Sequence, residues 1–241
     1  MTTLAMKTLI ALATGYPYEF PACSYLFADH ARHPLPAGIL EELTGRIPVI
    51  ACGSNRAPEQ LARKFRDWPL PLRIPVLCAK LAGFDVVYSA HFTRYGAVPA
   101  TLHPCPGATA DVAVQWLTPA ELERMDATEG IGINYDRHHL TGIELEIEGS
   151  STVHTAETYL SRRGPLIDQG TPVALEAIPC AGRAWPALNQ HGVLDLSRRR
   201  LAPDMTLDSF IHAIVTDPEY RAKQTELLAM PGRCMGRRDR I

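Results

Sequence analysis

The chain has 241 residues, of which 46% are apolar and 21% charged, and its net charge is −2. That composition excludes wholesale disorder, and the charge balance gives no footing for nucleic acid, whose binders concentrate positive charge. Six cysteines occur without any C-x-x-C pair, so no structural metal is expected, and a chain this long needs no disulfide staples; reduced thiols in cytoplasm are the expectation.

At the start, Lys7 precedes an apolar run over residues 8–13. It reads as a buried segment and not as a leader, because no small-x-small cleavage site precedes Tyr16-Pro17-Tyr18. No apolar run approaches the roughly 20 residues of a membrane helix, so no membrane partner is expected. Residues 1–46 are expected to form an N-terminal extension packed on one globular unit, residues 47–241, with a helical turn or two near residues 37–43. A short apolar strand over residues 47–52 stops at Gly53-Ser54-Asn55. Residues 58–65 read as a helix, with Pro58 in its first turn and Leu61 and Phe65 on one face. Strands are predicted around Phe84, Val86 and Tyr88, over residues 97–103 and over residues 111–116. A helix over residues 119–128 follows, then strands over residues 140–148 and 152–160. Leu207, Phe210, Ile211, Ile214 and Val215 have helical spacing, and Asp217-Pro218 opens a second helix or continues the first. The basic clusters Arg198-Arg199-Arg200 and Arg237-Arg238-Arg240 read as solvated surface. Strands grouped around one inserted helix, with helices at the end, predict an α+β fold: a small mixed β-barrel or sheet with flanking helices.

Two features carry chemistry. In a strand–Gly53-Ser54-Asn55–helix passage, glycine permits positive φ and close approach of a ligand, and converging N–H groups suit a carboxylate or a carbonyl oxygen that develops charge. Alone, Gly-Ser-Asn is also ordinary turn chemistry. The second feature is sharper. Thr118-Pro119-Ala120-Glu121 is a capping box with Pro at the first helical position. From there Leu122, Met125 and Glu129 share the apolar face, and Gly130 ends the helix. Burial and the negative end of the helix dipole both disfavour a charged Glu129, which suits a general base. A Glu129 paired with Arg124 or Arg137 is the bland alternative, and Asp126 is the reserve carboxylate.

Together these motifs resemble the γ-glutamylcyclotransferase-like family. The likeness runs over residues 47–160. It rests on Gly53-Ser54-Asn55, Ala100-Thr101-Leu102 closed by Pro106-Gly107, and Trp116 ending an edge strand. It also rests on Met125-Asp126-Ala127-Thr128-Glu129-Gly130 and on Tyr135-Asp136-Arg137 at a strand start. The resemblance implies intramolecular aminolysis. The α-amine of a γ-glutamyl compound attacks its own γ-carbonyl, giving 5-oxoproline and a free amine. It also implies Glu129 as base and acid, and Cys52, Gly53, Ser54, Asn55 and Tyr135 as substrate-binding residues. No metal or other cofactor is implied, and a homodimer is left open. Cys52 stands where the family carries an aromatic, and Asn55 points away from glutathione as the substrate.

Two rivals remain at this level. Cys52 beside a Gly-Ser turn, with nine histidines in the chain, allows a cysteine nucleophile. A non-catalytic binding or regulatory protein of the same fold is the other. His91, His103, His154 and the pair His138-His139 are expected to be structural.

Overall fold

The computed structural model describes residues 3–230; Cys234 and the cluster Arg237, Arg238 and Arg240 lie outside the described residues. In chain order, helix α1 (Thr3–Thr14) precedes a hairpin of β1 (Tyr25–Ala28) and β2 (Ala31–Pro34). Strand β3 (Ile47–Ala51), helix α2 (Pro58–Lys64), the long strands β4 (Arg73–Tyr88) and β5 (Ala100–Leu117) and helix α3 (Pro119–Thr128) follow. Strands β6 (Tyr135–Ile147) and β7 (Thr152–Ser161) come next. Five two-residue strands then lead to the last helices: β8 (Ile167–Asp168), β9 (Thr171–Pro172), β10 (Ala174–Leu175), β11 (Cys180–Ala181) and β12 (Ala187–Leu188). The helices are α4 (Gln190–Leu201), α5 (Leu207–Thr216) and α6 (Pro218–Ala229).

Strand order β5-β3-β7-β6-β4, with β4 paired back onto β5, closes a five-stranded barrel. Only β3 against β7 is parallel within it, so the barrel is mixed. The expected α+β class with a mixed barrel and flanking helices is what the chain forms. Closure leaves no free edge among these five strands, and the β1–β2 hairpin extends the sheet from β4.

Period-two alternation separates the two faces of the barrel wall. Ile50, Leu77, Val112 and Val114 face one core cluster, together with Phe210, Ile211 and Ile214 of α5. Val49, Ala51, Val76 and Ala113 face a second, packed with Leu61 of α2, with Phe65 just after it, and with Leu122 and Met125 of α3. Full burial of each such large side chain stabilises the fold by about 1.5–3 kcal/mol. The consequence for the site is positional. α2 and α3 share one apolar layer, so the ends of both helices meet beside the end of β3.

Three expectations need correction. Residues 8–13 are helical and lie on the surface: Ala13 is buried, Leu9 and Ile10 half-buried and Leu12 exposed. One apolar edge against the α5 layer is enough to hold that helix. The turn expected at Pro106-Gly107 is an irregularity inside β5, where four residues bulge opposite Gly83 and the ladder then resumes. The helical turn expected near residues 37–43 is present as a 3-10 turn, Ile39–Leu43. Arg198, Arg199 and Arg200 are anchored at the end of α4. Arg198 and Arg199 pair with Asp195, and Arg200 donates to the Ile167 carbonyl at 3.0 Å. Among the described residues no helix is long and apolar enough to cross a membrane.

Candidate active site

Strand β3 runs out at Cys52 and the chain turns at once. Arg56 N–H donates to the Gly53 carbonyl at 3.2 Å and Ala57 N–H to the Ser54 carbonyl at 2.9 Å, which winds residues 54–56 into one 3-10 turn. Two anchors fix this loop. Gln115 Nε2 on β5 donates to the Asn55 carbonyl at 2.7 Å. Arg56 is buried, stacks 4.1 Å from the Phe20 ring centroid and donates to the Asp111 carbonyl at 2.9 Å. The N–H groups of Gly53, Ser54 and Asn55 have no acceptor among the described residues.

The reason for glycine at position 53 differs from the expected one. Its φ is −122°, so positive φ is not required. Instead the Tyr16 hydroxyl occupies the space that a Cβ would need. Tyr16 reaches this point from the segment after α1, and its hydroxyl accepts the Ala100 N–H at 2.8 Å.

Helix α3 begins as its sequence demands. Thr118 Oγ1 accepts the Glu121 N–H at 3.3 Å, and Glu121 Oε2 accepts the Thr118 N–H at 2.7 Å. With that start fixed, Leu122 and Met125 are buried and Glu129 follows on the same face. Gly130, at φ +64°, closes the helix in the left-handed region.

The Glu129 side chain is 12% exposed. Its Oε1 accepts Asn55 Nδ2 at 2.8 Å and also the Lys64 ammonium. No donor among the described residues bonds Oε2. Neither a lone carboxylate nor the alternative arginine pairing describes the group. Lys64 takes the position because the shared layer brings the last turn of α2 against the end of α3. Lys64 also donates to Thr128 Oγ1 at 3.1 Å, while its carbonyl accepts Arg124 Nε at 2.7 Å. Arg137 is engaged elsewhere, with Asp126 Oδ2 at 2.6 Å, and Tyr159 Oη donates to Asp126 Oδ1 at 2.7 Å. Asp126 therefore braces α3 against β6 and β7.

The loop, Tyr16, Lys64 and Glu129 open onto one cleft of about 630 Å³. Its lining contains Cys52, Gly53, Ser54, Asn55, Glu129 and Tyr135, the residues expected to act on or bind the substrate, while Asp126, the reserve carboxylate, is not part of it. Tyr135, at the start of β6, donates its hydroxyl to the Ala100 carbonyl at 3.0 Å. One peptide unit of the Pro99–Ala100 region and its neighbour thus carry both tyrosines. Burial pushes the Tyr16 and Tyr135 phenols well above the usual tyrosine range, so both hydroxyls stay protonated. The Tyr135 ring meets His91 edge to face at 5.4 Å. His91 is 1% exposed, with Nδ1 2.7 Å from Ser89 Oγ. Burial, and then the Arg163 charge, lower its pKa to about 3, so it is neutral at physiological pH. Burial pushes the Cys52 thiol up to about 12. A thiol that stays protonated is a poor nucleophile, so the cysteine-enzyme rival loses its reactive form.

Sequence reasoning missed Tyr16, Lys64, Arg163 and Arg221 in this lining, and it had set His91, which also lines it, aside as structural. Tyr16 lies more than thirty positions before the loop it covers, and no periodicity links the two. Lys64 could have been found, since it falls on the last turn of the predicted α2. His103, His138, His139 and His154 do not line the cleft. Among the described residues no group of three or more His, Cys, Asp or Glu side chains is placed to hold a metal.

No family model and no curated protein matches the chain. Several solved structures are similar to it. An Arabidopsis thaliana protein solved in solution is 23% identical, with 49% of this chain and 70% of that one covered and a TM-score of 0.36. An uncharacterized Homo sapiens protein is 15% identical, covering 80% and 92% of the two chains at a TM-score of 0.39. A gamma-glutamyl cyclotransferase is 14% identical, covering 88% and 92% at a TM-score of 0.29. At scores this low, what the cleft does rests on its own geometry.

Proposed function

We propose that the chain is a γ-glutamylcyclotransferase-type enzyme that converts a γ-glutamyl amine or peptide into 5-oxoproline and a free amine. The observation that carries this reading is the 2.8 Å bond from Asn55 Nδ2 to Glu129 Oε1. It joins a carboxylate to a loop of unspent N–H groups inside one cleft. Those are the two tools that intramolecular aminolysis requires.

In this reading Glu129 takes a proton from the substrate's α-ammonium, and the freed amine attacks the γ-carbonyl carbon. Asn55 and Lys64 hold Oε1, so Oε2 is the oxygen that receives the proton. The carbonyl oxygen gains negative charge as the ring closes. The N–H groups of residues 53–55 stabilise it, and so does the Tyr16 hydroxyl, whose own proton has no acceptor among the described residues. Glu129 then gives that proton to the departing amine nitrogen as the amide C–N bond breaks. The vacated carboxylate takes the surplus proton of the new ring nitrogen and passes it to the released amine, which leaves as an ammonium. Ring formation within one molecule supplies the proximity term.

One observation favours the binding-module alternative. The Lys64 ammonium already compensates Glu129, and a second cation must share that carboxylate. The test is incubation with a panel of γ-glutamyl amino acids, peptides and amines, with 5-oxoproline and free amine measured together. Equal amounts of both products support the enzyme. Tight binding without turnover for every compound leaves the binding protein.

A further inference from the structure

Although the chain as a whole carries a net charge of −2, its cleft is strongly basic. Among the described residues Arg63, Lys64, Arg94, Arg163 and Arg221 line it, against the single carboxylate of Glu129. Two of the five cations are engaged locally. Lys64 is on Glu129, and Arg63 Nη2 donates to Gln60 Oε1 at 2.6 Å. The other three have no acidic partner among the described residues. Arg221, in the first turns of α6, is held by the Ile214 carbonyl at 2.8 Å and the Val215 carbonyl at 3.3 Å, which fixes its position without neutralising it. Arg163, in the loop after β7, has a buried Nε with no hydrogen-bond partner. A buried guanidinium N–H left unpaired is costly, and a planar fork of donors matches a carboxylate in two-point contact.

A γ-glutamyl group cannot supply the missing charge. Its α-carboxylate and α-ammonium cancel, and the ammonium is the part directed to Glu129. We propose that the leaving half of the substrate is itself anionic, an acidic amino acid or peptide whose carboxylates are held by Arg163 and Arg221. This inference rests on the cyclotransferase reading and narrows it, setting acidic γ-glutamyl compounds above γ-glutamyl derivatives of neutral amines.

Glutaryl amides test it without turnover. They keep the distal carboxylate and the amide of a γ-glutamyl compound but lack the α-amine, so they cannot cyclise. Calorimetry on the wild-type protein would compare N-glutaryl-glutamate, N-glutaryl-alanine and N-glutaryl-ethylamine, at low and high salt. The expected order is glutamate, then alanine, then ethylamine, with at least about tenfold between the first and last. The gap should narrow as salt screens the charges. Arg163→Gln and Arg221→Gln should each weaken the glutamate ligand by about tenfold and leave the ethylamine ligand nearly unchanged, with thermal midpoints recorded to exclude misfolding. Equal affinity for all three ligands, no binding of any, or a preference that survives both arginine changes overturns the inference. Equal affinities alongside 5-oxoproline formation would remove the acidic subsite and leave the reaction standing. The acidic preference without 5-oxoproline from γ-glutamyl-glutamate would keep the subsite and remove the reaction.

Discussion

The hydroxyl of Tyr16 sits against Gly53, in the space where any larger residue would carry its Cβ. A residue from the start of the chain thereby fixes the identity of a residue in the loop of the cleft. Gly53→Ala should cost about 1–3 kcal/mol through overpacking and disturb the loop. Tyr16→Phe removes the colliding oxygen, and its own cost is the unpaired Ala100 N–H, about 1–3 kcal/mol. The double variant should be more stable than the two single losses added together, because the clash is gone. Urea unfolding of the four proteins measures this; strictly additive losses would mean that Tyr16 and Gly53 do not meet. In the assay Tyr16→Phe should lower kcat by about 10²-fold if the hydroxyl serves the oxyanion.

Lys64 and Glu129 form a nearly closed ion pair, with side chains 7% and 12% exposed. Lys64→Met leaves the carboxylate without its countercharge and should destabilise the protein by roughly 3–5 kcal/mol, towards the lower figure because the pair is not wholly sealed. Adding Glu129→Gln should recover much of that loss, since an amide needs no countercharge. A Lys64→Met protein as stable as the wild type would show that the pair does not hold α2 to α3.

Much of this arrangement was legible in the sequence. The capping box at Thr118 set the phase of α3, and phase alone put Glu129 inward. The strand–loop–helix passage around Gly53-Ser54-Asn55 came from local turn chemistry. What stayed hidden depended on contacts between distant segments. Tyr16 has no periodic relation to Gly53, and the layer that carries Lys64 to Glu129 exists only once α2 and α3 have packed. Pro106-Gly107 misled for a local reason: the same residues that end strands also build bulges, and only the partner strand distinguishes the two. Helix α4 was missed because Gly192 and three consecutive arginines interrupt its pattern.

His91 should give a pH signature. Its pKa lies near 3 in the folded protein, below its usual value of 6.5, because burial excludes the charged form. Below pH 6.5 the unfolded chain binds a proton that the folded chain does not. The stability from this group is therefore complete above about 6.5 and falls as pH drops towards 3, by up to about 1.4 kcal/mol per pH unit. In His91→Gln that slope should be absent, as measured by thermal melts between pH 4 and 7. A variant with an unchanged slope would mean that other groups carry the acid sensitivity.

The central claim is that Glu129 moves the proton, and turnover of one γ-glutamyl substrate by wild type, Glu129→Gln and Cys52→Ser tests it most directly. Glutamine keeps the shape of Glu129 and still accepts from Asn55, but it cannot take a proton from an ammonium. 5-Oxoproline formation should fall by about 10²–10⁴-fold in Glu129→Gln with a much smaller change in KM. Cys52→Ser, which alters only a buried, protonated thiol, should keep most of its rate. A Glu129→Gln enzyme with wild-type kcat, or a Cys52→Ser enzyme that is dead while folded, would contradict the account.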